Sequence, residues 1–195
     1  MLETGIFIRE GKIFTPVGKG PEDSEIVIQT SLKRGGFFLE QTILHHMATV
    51  RGITEQTIKR IPEEVSDLIP EGFNNNIRWN FGHIAFVQEK LVFGILGEEM
   101  NIPKDYEQFF GAGTKPAEWQ ETPPSLTEIV EILTEQKTRI KDFLPGRLHE
   151  KLPTPFTNRG GVTFYTVGEA FLFSFYHEAL HNETIKRLYR SVSSI

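Results

Sequence analysis

No cysteine occurs in the 195 residues of this chain. Disulfides, thiolate metal sites and a cysteine nucleophile are therefore excluded, and the absence fits a reducing compartment. Long apolar runs are missing too. Nowhere do the roughly 18 uninterrupted apolar residues of a membrane-crossing helix occur. Residues 1–14 show no basic segment followed by an apolar core, the mark of a secretory leader. Positive charge is not in excess either: 21 Lys and Arg stand against 26 Asp and Glu, a formal net charge of −5. Nucleic-acid recognition usually leaves a basic footprint, and none is visible. The expectation is a cytoplasmic protein without nucleic-acid or membrane partners.

Hydrophobic residues at 38% and charged residues at 24%, with sixteen Phe, are the balance of a folded globular chain rather than a disordered one. The length suits a single main domain. Residues 6–15, IFIREGKIFT, read as two short β runs around Glu10-Gly11, a hairpin turn signal. A polar stretch with Pro16, Gly18, Gly20 and Pro21 follows. Residues 1–30 are accordingly predicted to be an N-terminal extension with a β-hairpin, and residues 31–195 the main domain.

That domain reads as four helices. The first is expected from about Gly36 to Arg60, with Leu39, Ile43, His46, Val50, Ile53 and Thr57 as its inward stripe. The second is expected from Ile77 to Leu96, capped by one of Asn74, Asn75 or Asn76 and stopped by Gly97. A long connection with an anchor at Trp119 then leads to Ser125-Leu-Thr-Glu128, a capping box that opens the third helix. A connection of that length allows the second and third helices to be non-neighbouring or to run parallel. Residues 147–162, with His149, are expected to be a polar connection. Thr166-Val-Gly-Glu169 is a second capping box, opening a last helix that runs to about Ser191. The fold class expected is therefore all-α, a four-helix bundle with a small N-terminal β-hairpin. Phe171, Phe173, Phe175 and Tyr176 sit on several faces of the last helix, more apolar surface than one core needs, which predicts a homodimer.

The chemistry concentrates in residues 175–185, FYHEALHNETI. Histidines four apart stack on one helical face, so His177 and His181 can converge on a single metal ion. The same letters match H-E-x-x-H, the zinc-protease pattern in which the glutamate is the base. The proteases that carry it take their third ligand from downstream, and residues 182–195 contain no histidine and only Glu183 as an acid. A third ligand must come from upstream, where His83, flanked by aromatics on the second helix, and His46, on the apolar stripe of the first, are the candidates. Glu178 lies about 100° around from His177, which makes it a surface acid or an acid that orients a neighbouring histidine rather than a base.

Trp79, His83, His177 and His181 on this helical plan, with IRWNFGHIAF, TVGEAF and HEALHNETIKRL in order, resemble the DinB/YfiT-like superfamily of metal-dependent enzymes from about residue 33 onwards. The resemblance implies a three-histidine divalent metal site made of His83, His177 and His181. It also implies a metal-dependent hydrolase or a transferase of low-molecular-weight thiols such as bacillithiol and mycothiol, with a stress-related metal-binding protein lacking turnover as the rival. Zinc or nickel is the expected metal, with iron or manganese as further options. Three neutral nitrogens leave a metal its full charge and an open position, the layout of a catalytic site. With no cysteine in the chain, any thiol must be a cosubstrate beside the small-molecule substrate.

Overall fold

The computed structural model describes the backbone of residues 7–9, 12–14 and 21–193, and the side chains of residue 36 and residues 38–193. Its elements in chain order are β1 (Phe7–Arg9), β2 (Lys12–Phe14), α1 (Pro21–Ile58), α2 (Ile77–Val92), α3 (Tyr106–Phe110), α4 (Leu126–Phe143), β3 (Lys151–Thr157), β4 (Thr163–Thr166) and α5 (Val167–Val192). The chain is mostly helical, with two small antiparallel strand pairs, and divides into two compact units, Met1–Thr42 and Ile43–Ile195. Among the described residues no helix is long and apolar enough to cross a membrane.

In the first unit β1 pairs with β2, Phe7 opposite Phe14 and Arg9 opposite Lys12, as the hairpin reading expects. The turn residues Glu10 and Gly11, and residues 15–20 with Pro16, Gly18 and Gly20, lie outside the described residues. Helix α1 starts at Pro21 rather than near Gly36. A proline fits the first helical position, where its missing N–H would have no intrahelical partner, so Pro21 opens the helix instead of punctuating an extension.

In the second unit the cap signals act as read. The Asn76 side chain accepts from the Trp79 N–H at the start of α2. Ser125 with Glu128, and Thr166 with Glu169, form complete capping boxes on α4 and α5. Helix α2 is buried on nearly every side. It runs antiparallel to α5, with Asn80 beside His181 and Gln88 beside Ser174. It runs parallel to α4, with Arg78 beside Pro124 and Glu89 beside Arg139, as the long connection allows. Trp119 anchors that connection by donating to the Phe109 carbonyl and packing edge-on against Phe109 and Phe110.

Residues 147–162 are not simply a polar connection, because β3 and β4 form a hairpin there. Its strand signal is masked by Pro153 and Pro155, which lack a ladder donor. Both prolines fall where the register shifts, between Lys151 and Phe156.

The inward face of α1 is also not the one expected. Leu44, Met47, Arg51, Thr54 and Ile58 are buried, while Leu39 and Ile53 are exposed. The physical reason is a polar network in the core. Arg51, 1% exposed, donates to both carboxylate oxygens of Glu178 on α5, to Gln88 on α2, and to Gln136 and the Leu133 carbonyl on α4. Thr54 donates to Glu178 and accepts from Asn182. Gln136 passes on to Glu89, which is held from outside by Arg139. Four helices thus share one buried ion pair whose remaining hydrogen-bonding groups have partners. Breaking such a pair leaves an uncompensated buried charge, at a cost of about 3–5 kcal/mol. Arg51→Ala and Glu178→Ala should each lose about that much stability in urea titrations, and the double variant clearly less than their sum. Strictly additive losses would show that the two side chains do not act as a pair.

Candidate metal centre

The first turns of α2 build one wall of the site. Asn76, already capping the helix through its side chain, accepts from the Asn80 amide through its carbonyl at 2.7 Å. That bond turns the Asn80 oxygen toward α5, where it accepts from His181 Nδ1 at 2.8 Å. One turn on, His83 Nδ1 donates to the Phe110 carbonyl at 2.6 Å. A carbonyl can only accept, so both Nδ1 atoms carry the proton and each Nε2 keeps the lone pair. The His83 ring lies flat on Trp79, at 4.4 Å between centroids and 15° between planes.

Gly82 is what lets the Phe110 carbonyl come so close. A Cβ at this position would overlap the Phe110 ring, so only glycine allows the end of α3 to sit against α2 beside His83.

His177 and His181 meet His83 from α5. His177 Nε2 lies 3.3 Å from His83 Nε2, and the three residues' ligand atoms all fall within 4.8 Å of one another. His83 is buried and the other two half-buried. Burial pushes the pKa of His177 down to about 2 and that of His181 to about 3, with the facing imidazoles adding to the effect. His83 is lowered by burial too, partly offset by the Phe110 carbonyl and deepened by the charge of Arg159. His177 and His181 therefore stay neutral well into acid, and His83 is shifted in the same direction, toward the neutral state in which imidazole binds a metal. All three residues expected to act together do come together. The donor set fits a divalent transition ion: converging imidazole nitrogens, outer hydrogen bonds that fix the tautomer of two rings, and one open side.

That open side is a cavity of about 470 Å³ between α2, α5 and the β3–β4 hairpin. His83 and His177 lie in its wall, with Phe86, Val87, Leu91, Phe156 and Phe173 giving an apolar lining.

A family model described as the DinB superfamily matches residues 46–185. The chain belongs to the DinB superfamily. The matched segment holds His83, His177, His181 and the whole core network of this DinB-superfamily chain. No curated protein matched it.

Two further expectations need correction. His46 is exposed, its ring edge-on to Phe175 at 5.3 Å, and takes no part in the cluster. The inward stripe of α1 is turned about one residue from the apolar one, and His46 goes outward with it. Glu178 is neither a surface acid nor a partner of a histidine, since Arg51 and Thr54 occupy its carboxylate in the core. His149 is exposed, as expected. Asn80 and the Phe110 carbonyl are contributions the sequence does not announce. Only the position of Asn80, three residues before His83 and so on the same helical side, could have pointed to it.

Two outcomes are expected. Elemental analysis should find little metal in His83→Ala, His177→Ala and His181→Ala and a full complement in His149→Ala, while Asn80→Ala should weaken metal affinity by about 10- to 100-fold, the usual cost of losing an outer partner. In the metal-free protein, the unfolded chain takes up protons near pH 6.5 that the folded cluster refuses. Stability is therefore fully present above that pH and falls as the pH drops toward the folded values of about 3 and 2. Urea titrations of wild type against His177→Ala should show a stability difference that changes across this window, and a constant difference would count against the depressed values.

Proposed function

We propose that His83, His177 and His181 bind one divalent transition metal, zinc or nickel, in a four-helix bundle of the DinB type, and that the protein transfers a low-molecular-weight thiol to a small electrophilic substrate. The observation that carries this reading is the convergence of three imidazoles, two of which, His83 and His177, lie in the wall of a largely apolar cavity. A divalent metal held by three neutral nitrogens keeps its charge and lowers the pKa of a water or thiol that reaches it.

The choice between hydrolysis and thiol transfer rests on bases. Among the described residues no carboxylate joins the histidine group, and Glu178, the nearest acid in sequence, is tied to Arg51. Hydrolysis commonly enlists a general base to manage the protons of water and leaving group, whereas a thiol that has lost its proton needs none to attack. The surrounding chain then has three tasks. Asn80 and the Phe110 carbonyl orient His181 and His83, Trp79 covers the His83 ring, and the aromatic lining excludes water from the reacting sulfur. The thiol arrives as a cosubstrate, since the chain has no cysteine. A cytoplasmic homodimer is the setting this reading adopts, with α5 offering exposed Leu172, Tyr176 and Leu180 at four-residue spacing.

The test is turnover by zinc- or nickel-loaded protein offered thiols with electrophiles in one series, and esters and amides in another. Thiol-dependent consumption of the electrophile, lost in His177→Ala, is the expected result. Ester or amide cleavage without thiol would return the assignment to a hydrolase, and metal binding with no turnover in either series would leave a binding protein.

A further inference from the structure

The cavity beside the histidines carries charge as well as an apolar wall. Lys90 on α2 and Arg159 at the tip of the β3–β4 hairpin line it, against a single carboxylate, Glu107. Both side chains are exposed, and among the described residues neither cation has an acidic partner within ion-pair distance.

Arg159 is also held in place. Its Nη2 donates to the Ala112 carbonyl at 2.6 Å. Its guanidinium lies over Gly113, where a Cβ would come within 2.9 Å of Nη2 and where φ is +99°, a backbone that favours glycine. The tip that presents it is closed by its own bonds, with Asn158 N–H donating to the Val162 carbonyl and the Asn158 side chain accepting from Val162 N–H. One contact uses one of the five guanidinium donors, which leaves a fork free for two oxygens of a carboxylate or phosphate. Phe156, three residues before Arg159 in the same hairpin, continues the apolar wall.

We infer that this cavity selects an anionic substrate, one with an apolar body that lies along Phe86, Leu91, Phe156 and Phe173 and a terminal oxyanion, carboxylate or phosphate, held by Arg159 and Lys90. The inference rests on the reading of the histidine cluster as the reacting end of the same cavity, and names the substrate class for it. Arg159 is the specificity residue. The hairpin that carries it is the element whose sequence would change when the substrate changes.

Calorimetric titration with 4-phenylbutyrate, phenethyl phosphate and the neutral 4-phenylbutyramide separates the claims, run on metal-loaded and on chelator-treated protein. The acids should bind at least about tenfold more tightly than the amide, the usual size of a charge-assisted hydrogen bond's contribution. Arg159→Gln should abolish that preference while leaving amide binding unchanged, which also shows that the fold is intact. Lys90→Gln, an exposed change on a rigid helix, should reduce the preference in part. The tighter of the two acids identifies the oxyanion. Equal binding of acid and amide overturns the inference. So does an acid preference that vanishes with the metal and ignores Arg159→Gln, for then the metal holds the oxyanion, and the reading of the metal centre survives alone. A preference that persists in protein unable to load metal would leave the anion site standing and the metal centre refuted.

Discussion

The ion pair between Arg51 and Glu178 sets the geometry on which the candidate site depends. Glu178 follows His177 directly, about 100° around α5. Its carboxylate is drawn into the core by Arg51 and Thr54. With that side pinned, α5 has one rotational setting, and in it His177 and His181 face the first turns of α2. Because Arg51 also reaches Gln88 and Gln136, the same guanidinium holds α2 and α4 against α5. A buried ion pair contributes little net stability compared with apolar packing, and its best-attested use is to fix one arrangement over others. Here the arrangement fixed is the meeting of three histidines from two helices.

The histidines in turn show how outer hydrogen bonds define a site. Asn76 caps α2 and orients Asn80, Asn80 orients His181, and the end of α3 orients His83 through a backbone carbonyl that Gly82 leaves room for. A helix start and the face that presents the histidine cluster are therefore one construction. The same device recurs at Gly113, where a missing side chain admits the guanidinium of Arg159.

Much of this was legible in the residues. Asn76, Ser125 and Thr166 announce their helices because an N-cap is a local bond between neighbours in sequence. The His177/His181 spacing announces a shared face for the same reason. The need for an upstream ligand makes His83 a candidate, and the family resemblance selects it over His46, because nothing local ties it to α5. The misplaced face of α1 and the misreading of Glu178 share one cause. The inward face of α1 carries Arg51 and Thr54, so hydrophobic periodicity selected the stripe through Leu39 and Ile53 and turned His46 inward. Partners of a buried polar residue lie far away in sequence, such as Glu178, 127 positions from Arg51, and no local pattern records them. The β3–β4 hairpin was hidden by two prolines that its irregular register tolerates.

The central claim is that three imidazoles bind one metal, and X-ray absorption at the metal edge of the purified protein tests it most directly. The account predicts one metal per chain with three imidazole nitrogens in its inner shell, at about 2.0–2.1 Å if the ion is zinc, and the remaining scatterers light and exchangeable. An inner shell dominated by carboxylate oxygens, or one containing fewer than three imidazoles, would contradict it.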